Sequence, residues 1–530
     1  MKATLLNGDP GTSEGPDDGS QRRVLLTALG VALLVLFGFV VRVGGIGREC
    51  PWYDEVLSIQ QLDAPDVATF LERLKDTGTP ITPVYFAIEY FWARMVGAGV
   101  TGLRMLSVLL GVLAIPAMYL LTRRFYDATA GLVAAFCLAA SLVHIYYSQE
   151  IRMYAPVPLL ALISVFALWQ GLHKGGRRWW AVNVLCNALI AWTHMFAVML
   201  PLVQGVFLLV WYRGKRRLLS YWLAAHAVLA AGYGLWARTL HLPRVYEAAG
   251  CIPGTSFRDF LMAFLIFAGG RASNENPRPH LPIHHSLDQV LAVFLFLLVA
   301  AFGVWTIHAA IRAKDRGRAE AFTLLALWLM LPPVLLFALS RACRPCFIYR
   351  YVLYSSLPLY ILAGAAISTM RGRGARALLV CVLVCLYGYQ LSALAVGPFR
   401  PDWRSVGRYV NQHCEPEDLI LVYQGINTLA LEFNADLPQE HVQTVEVWSG
   451  LCEPVLNAHR EGRGVWLLVW LWADPGNFEA CFEANGLAYT ARDFASWPHV
   501  RVYHIAAAGA AARHDPRTNT NSAKPSIESR

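Results

Sequence analysis

The sequence predicts an all-α polytopic membrane domain of about eleven transmembrane helices, followed by a small extracytoplasmic α/β domain. Three observations carry that prediction. First, of 530 residues 56% are hydrophobic and only 15% charged, with a mean hydropathy of +0.42, so there are too few charges to coat soluble domains of this size. Second, uncharged runs recur at Val24 to Val41, Met105 to Thr122, Ala128 to Gln149, Met153 to Leu172 and Val290 to Ile311, each long enough to cross hydrocarbon. Third, beyond Pro398 the pattern changes to short alternating stretches, Asp418 to Tyr423, Val465 to Trp470 and Val500 to Tyr503, which read as strands with helices between them.

The first run follows a polar segment and Arg22-Arg23, and no small-residue cleavage site precedes Arg42, Arg48 and Glu49, so it is expected to stay as an uncleaved first span. The formal charge of +9 falls in short clusters between spans: Arg22-Arg23, Arg123-Arg124, Lys174 to Arg178, Arg213 to Arg217, Arg312 to Arg318 and Arg371 to Arg376. Topology explains such clusters better than nucleic acid does, and no nucleic-acid partner is expected. The positive-inside rule places all of them in the cytoplasm, with the N-terminus, provided that 43–102 stays outside as one long loop. Its apolar segment Val84 to Val96 carries Glu89 and Arg94 and is short for a span, so it is expected to lie on the membrane surface or re-enter. The resulting layout is a disordered cytoplasmic N-terminus (1–21), a transmembrane domain (22–399), an extracytoplasmic α/β domain (400–506) and a disordered tail (507–530), in a multi-pass protein of the inner membrane.

Seven of the eleven cysteines fall outside in this arrangement: Cys50, Cys251, Cys343, Cys346, Cys414, Cys452 and Cys481. Cys343 and Cys346 are the sharpest pair, expected as a disulfide or as two thiols rather than a metal site.

Ionisable groups at membrane edges are expensive and ask for a reason. Asp54 and Glu55 follow the first span within Trp52-Tyr53-Asp54-Glu55; one can serve as general base, or the pair can be an ordinary polar loop with interface aromatics. Glu150, Arg152 and Tyr154 occupy a loop so short that it must lie at the bilayer edge, where Glu150 and Arg152 can pair with each other or serve a phosphate-bearing substrate. His194, at an outer span end, reads as a structural histidine or a supporting group, and Arg350 as a snorkelling cation or a phosphate ligand. There is no Gly-x-x-x-x-Gly-Lys-Ser/Thr loop, so an activated substrate is expected to arrive on a lipid.

Taken in order, Tyr53-Asp54-Glu55, Leu103-Arg104-Met105-Leu106-Ser107, Gln149 to Tyr154, Thr193-His194, Arg350-Tyr351 and Pro401-Asp402-Trp403-Arg404 give a chain that resembles the GT-C membrane glycosyltransferases using polyprenyl-phosphate sugars. The nearest likeness is to bacterial relatives of protein O-mannosyltransferases and aminoarabinose transferases, from the first span to about Phe399 and more weakly beyond. The resemblance implies GT-C architecture and an inverting transfer to a protein, lipid or glycan acceptor. It makes Asp54 the general base, with Glu55 and Glu150 as further catalytic carboxylates, Glu150 orienting the acceptor or helping to hold a divalent cation where one is used. Arg152, Arg350 and Tyr154 would bind the donor phosphate, and His194, Tyr351 and Arg104 would support them. It leaves the metal open, a divalent cation being compatible but not required. Relatives carry His-Pro-Pro-Leu-Tyr where this chain has Thr82-Pro83-Val84-Tyr85, so a histidine contact from that loop is missing. A transporter or flippase for a lipid-linked sugar is the alternative; it needs polar groups through the bilayer depth, which the spans are expected to lack.

Overall fold

The computed structural model describes residues 18–76, 82–239, 255–268, 284–313, 315–343, 345–395, 400–445, 452–470, 476–494 and 500–507. Residues 1–17 and 508–530 of the two tails expected to be disordered, and 240–254 and 269–283 of one expected outer loop, lie outside the described residues; Asp18 to Gln21, expected within the disordered first tail, are instead the first turn of a helix.

Helix α1 (Asp18–Val43) leads into the first outer loop, which folds as α2 (Tyr53–Leu62), α3 (Val67–Asp76) and α4 (Pro83–Val96). The bundle continues through α5 (Val100–Phe125), α6 (Ala128–Ala140), α7 (Leu142–Tyr147), α8 (Pro156–His173), α9 (Arg177–Thr193), α10 (Met199–Tyr212) and α11 (Arg216–Ala237). It closes with α12 (Phe257–Phe267), α13 (His284–Ala313), α14 (Arg316–Ala342), α15 (Leu357–Thr369) and α16 (Arg373–Leu391). Among the described residues eight helices are long and apolar enough to cross a membrane, and two more, Ala128–Ala140 and Val293–Thr306, are apolar but shorter. Exposed apolar side chains on α1, such as Leu25, Leu29, Leu33 and Leu36, are what a lipid-facing surface requires.

One expected span is interrupted. The uncharged run Ala128 to Gln149 breaks at Ser141, whose backbone is extended, into α6 and α7. Arg42 of α1 takes up the freed carbonyls, donating to Ala139 O at 3.0 Å and Leu138 O at 3.1 Å, so a cation sits on the negative end of α6. The Ser141 hydroxyl meets Tyr360 of α15 at 3.0 Å. Close approach of α15 to α6 needs Gly364, where a Cβ would lie 2.4 Å from Ala130 O.

The surface segment of the first loop appears as α4. Ile88, Phe91 and Met95 are exposed while Tyr85, Phe86, Glu89 and Tyr90 are buried, so the helix turns its apolar side outward, as a helix lying in lipid does. Thr82 precedes it and Pro83 occupies its first turn; the Thr82 hydroxyl donates to Thr193 O, holding the loop to the end of α9.

The C-terminal domain is a five-stranded mixed sheet of order β2-β1-β3-β5-β4 with helices packed on it. Strands β1 (Leu419–Tyr423), β3 (Val465–Trp470) and β5 (Val500–Ile505) are the three expected. The edges β2 (Val442–Val445) and β4 (Tyr489–Phe494) were not anticipated; β2 pairs parallel to β1 and β4 antiparallel to β5. Helices α17 (Trp403–His413), α18 (Gly425–Asn434), α19 (Cys452–Arg460) and α20 (Gly476–Ala484) complete it, and Cys452 and Cys481 bridge α19 to α20. Cys343 and Cys346 carry free thiols.

Candidate functional site

The first outer loop, the turn after α7, the end of α9 and the segment before α15 meet at one end of the bundle. Asp54 and Glu55 are neighbours on α2, and a helix turns about 100° per residue, so their side chains diverge. Glu55 points inward and is fully buried. Arg104 of α5 grips it bidentately at 2.8 and 2.7 Å, and the Ile151 amide donates to it at 3.0 Å. Burial alone would raise this carboxyl, but Arg104 and Arg400 outweigh burial and hold it down to about 2. Arg104 is itself used up, donating also to Ile46 O and Glu49 O. Both residues are therefore placed as anchors of the loop rather than in reach of a substrate.

Asp54 points the other way, its side chain 15% exposed. Two guanidiniums flank it: Arg152 Nη2 at 3.4 Å and Arg350 Nη2 at 4.0 Å. Arg152 is braced by the Ser58 hydroxyl at 3.2 Å and lies 5.7 Å from the Phe86 ring. Arg350, 23% exposed, lies 5.4 Å from Trp52, 5.9 Å from Tyr154 and 5.6 Å from Tyr351, a cation in an aromatic enclosure. The Nε of each arginine is buried and makes no hydrogen bond. Such unsatisfied donors beside a partly exposed carboxylate are what a phosphate would satisfy.

Glu150 does not pair with Arg152, contrary to one of the two expected readings. It faces Arg400 at 3.5 Å, is fully buried, and neither of its oxygens has a hydrogen bond. Burial, only partly offset by Arg400, pushes its carboxyl up to about 7. The turn that carries it is seated by Gly111 of α5, where a Cβ would lie 2.2 Å from the Ser148 hydroxyl, and by Gln149 Nε2 donating to Arg42 O at 2.8 Å. A small cavity behind it is lined by Arg42, His144, Tyr147, Ser148 and Tyr154.

His194 and Tyr351 form the wall with Tyr154, at ring separations of 5.9 Å (Tyr154 to His194) and 5.2 Å (His194 to Tyr351). Burial, with Arg152 and Arg350 nearby, pushes the imidazole down to about 3, so His194 is neutral and its Nδ1 accepts from the Phe196 amide at 3.3 Å. Glu89 of α4 is a further buried acid, raised to about 8 by burial, an effect that the nearby Tyr85 offsets only in part.

Of the predicted residues, the structure gathers Asp54, Glu150, Arg152, Tyr154, His194, Arg350 and Tyr351 into one cluster and ties Glu55 and Arg104 to each other beside it. Sequence reading missed Arg400, Glu49 and Arg42. Only the conspicuous Pro401 to Arg404 beside Arg400 signalled the first, and nothing local marks its pairing with residues some 250 to 350 positions away. As for a divalent cation, the described residues contain no group of three or more His, Cys, Asp or Glu placed to hold one, and the carboxylates here already face guanidiniums. The donor set does not fit a metal.

Residues 79–234 match the family model described as dolichyl-phosphate-mannose-protein mannosyltransferase. An undecaprenyl phosphate-alpha-4-amino-4-deoxy-L-arabinose arabinosyl transferase of Pseudomonas aeruginosa is 28% identical over 315 residues, covering 55% of this chain and 52% of the relative. A second such transferase, from Pseudomonas fluorescens, is 26% identical over 347 residues, 59% of this chain and 54% of the relative. The chain thus spans about half the length of the curated relatives it matches. Among solved structures, ArnT from Cupriavidus metallidurans bound to undecaprenyl phosphate superposes with a TM-score of 0.51 at 15% identity, over 90% of this chain and 97% of that one. The Archaeoglobus fulgidus oligosaccharyltransferase tethered with an acceptor peptide gives 0.50 at 12% identity, over 87% and 72%. The expected resemblance and the GT-C architecture, a multi-pass membrane bundle carrying a small C-terminal sheet domain, are borne out.

Proposed function

We propose that this chain is an integral-membrane glycosyltransferase that moves a sugar from a polyprenyl-phosphate donor to an acceptor on the extracytoplasmic face, with inversion and with Asp54 as general base. The observation that carries the reading is a partly exposed carboxylate held between two arginines whose inner donors are unsatisfied. Arriving donor phosphate draws Arg152 and Arg350 toward its oxygens and away from Asp54, whose lone pairs then face the acceptor. The acceptor O–H or N–H gives its proton to Asp54 as its heteroatom bonds to the anomeric carbon. The bond from that carbon to the phosphate oxygen breaks, its electron pair leaving with polyprenyl phosphate, whose charge the two arginines neutralise. Tyr154, Tyr351, His194 and Trp52 wall the pocket, and Glu150 orients the acceptor.

The site end of the bundle carries the sheet domain and its disulfide, which suits an oxidising compartment, while the basic clusters at Arg123-Arg124, Lys174 to Arg178 and Arg371 to Arg376 end helices on the other side. This supports an inner-membrane protein with a cytoplasmic N-terminus and an extracytoplasmic C-terminal domain. The transporter alternative loses its simplest support. The spans do contain polar groups, correcting the expectation that they lack them, but Ser164, Asn183, Asn187, Gln204 and His226 are tied to one another. The relatives reported above are transferases.

Purified protein in liposomes, given radiolabelled polyprenyl-phosphate sugars and envelope acceptors, tests the proposal. Aminoarabinose, the sugar named for the curated relatives, comes first among pentose and hexose donors. Wild type is expected to transfer label, and Asp54→Asn to do so at least about a hundredfold more slowly. No donor consumption, or an Asp54→Asn rate equal to wild type, would sink the reading.

A further inference from the structure

Arg400 stands one residue before Pro401, at the head of the C-terminal domain, yet its guanidinium is buried among the acids of the first outer loop, 3% exposed. Nη1 lies 3.1 Å from Glu49 Oε2, Nε 3.6 Å from Glu55 Oε2 and Nη2 3.5 Å from Glu150 Oε1. Nη2 also donates to Gln149 O at 3.2 Å, and the Tyr146 ring lies 4.9 Å away. One cation therefore answers three carboxylates. Glu55 has Arg104 besides, whereas Glu150 has no hydrogen bond of its own.

The joint around it is built from the same two regions. Arg404 Nε meets Cys50 Sγ at 3.1 Å and its Nη2 donates to Arg48 O at 2.6 Å. Asn434 of α18 donates to Pro51 O at 3.0 Å. Asp402 caps α17 through the Ser405 amide, fixing the direction in which Arg400 leaves the helix. If the domain lifts, Arg400 leaves with it.

We propose that Arg400 is a positioning residue through which docking of the C-terminal domain supplies the Glu150 carboxyl with its nearest cation and holds it in place, making the membrane site conditional on that domain. The proposal rests on the transferase reading for its consequence in catalysis but not for its physical content. The groups facing Glu150 are Arg400, Arg350 and Arg152 as cations, Glu55 and Asp54 as like charges, and the phenols of Tyr146 and Tyr147. Arg400 is the cation whose field on Glu150 is largest, and removing it leaves a buried carboxylate facing two others. Such a group takes up a proton.

The test uses the full chain in lipid nanodiscs. The infrared band of the protonated Glu150 carboxyl, isolated by subtracting the Glu150→Gln spectrum, is titrated in wild type, Arg400→Gln, Arg400→Lys and Arg404→Gln. Arg400→Gln is expected to raise the midpoint by about one pH unit or more, and Arg400→Lys to restore most of that shift. Arg404→Gln weakens the joint while leaving Arg400 in the chain, so it moves the midpoint the same way by less, and it carries the test alone if Arg400→Gln does not fold. An unmoved midpoint in either folded glutamine variant overturns the proposal. The measurement needs no donor, so failure of wild type to transfer sugar would remove the transferase reading without deciding this one. In active protein the acidic limb of the pH–rate profile moves up with the midpoint, and Arg400→Gln with Glu150→Gln transfers no more slowly than Glu150→Gln alone. A uniform loss at every pH, additive in the double variant, would show a merely structural arginine and count against the inference.

Discussion

Two buried polar regions of this bundle are made of different materials. In the middle of the membrane, Ser164, Asn183, Asn187, Gln204 and His226 from α8 to α11 form a neutral network in which Gln204 Oε1 accepts from both asparagines at 3.0 and 2.9 Å and Asn187 reaches His226 Nε2 at 2.9 Å. At the outer end, four arginines interleave with Asp54, Glu55, Glu49 and Glu150, and Glu150 and the Nε atoms of Arg152, Arg350 and Arg400 have no hydrogen bonds. The neutral network leaves only Asn183 Oδ1 unpaired. Neutral groups that satisfy one another hold helices together. Charges left incompletely satisfied are stable only because opposite charge surrounds them, and they are the ones with capacity left for a ligand.

The comparison breaks first at Glu55. Glu55→Gln strands Arg104 in a fully buried place and is expected to cost about 3–5 kcal/mol of stability, seen as a large fall in the melting temperature in detergent; a melt equal to that of Asp54→Asn would mean the two acids play the same role. Next, Arg350→Lys removes a planar cation from the Trp52, Tyr154 and Tyr351 enclosure and should weaken donor use about tenfold in KM with an unchanged melting temperature.

The pH behaviour of the two glutamates sharpens the same contrast. Glu55 is depressed from 4.5 to about 2, so its stabilisation is present above about 4.5 and lost as pH falls through 2; Glu150 is raised from 4.5 to about 7, so its contribution is present below 4.5 and lost as pH rises through 7. Melting curves across this range should decline between about pH 4.5 and 7 in wild type and less so in Glu150→Gln; an identical decline in both would rule out Glu150 as the source. The smallest effect belongs to the neutral network: Asn187→Leu with Gln204→Leu in a double-mutant cycle should show a coupling of about 0.6 kcal/mol, at most about 1.7, and transfer rates near wild type.

Much of this was legible in the sequence where chemistry repeats along the chain. Strands β1, β3 and β5 show as apolar stretches because they form the middle of the sheet, each with neighbours on both sides, while β2 and β4 are edges whose partly exposed residues mix Gln, Thr, Arg and Asp with apolar ones. Asp54 and Glu150 were visible because carboxylates at a membrane edge are costly. What separates Asp54 from Glu55 is helix rotation, which adjacency in sequence hides. The break at Ser141 was invisible because no proline or charge marks it; its cause, Arg42, is some hundred residues earlier. Arg400 escaped for the same reason, since an ion pair across 250 residues leaves no local trace.

The joint at Arg400 also has a bearing on biogenesis. The chain is made from its N-terminus, so Glu49, Glu55 and Glu150 are inserted and folded against α5 well before the cation that answers all three has been translated. Until then the site is an incomplete electrostatic assembly, and a ribosome stalled or a chain cut before residue 400 leaves a membrane bundle in which Glu55 keeps Arg104 but Glu49 and Glu150 lack Arg400. The charge pairing of the first loop is therefore completed from the far end of the sequence, and only a chain made beyond residue 400 can carry all of it.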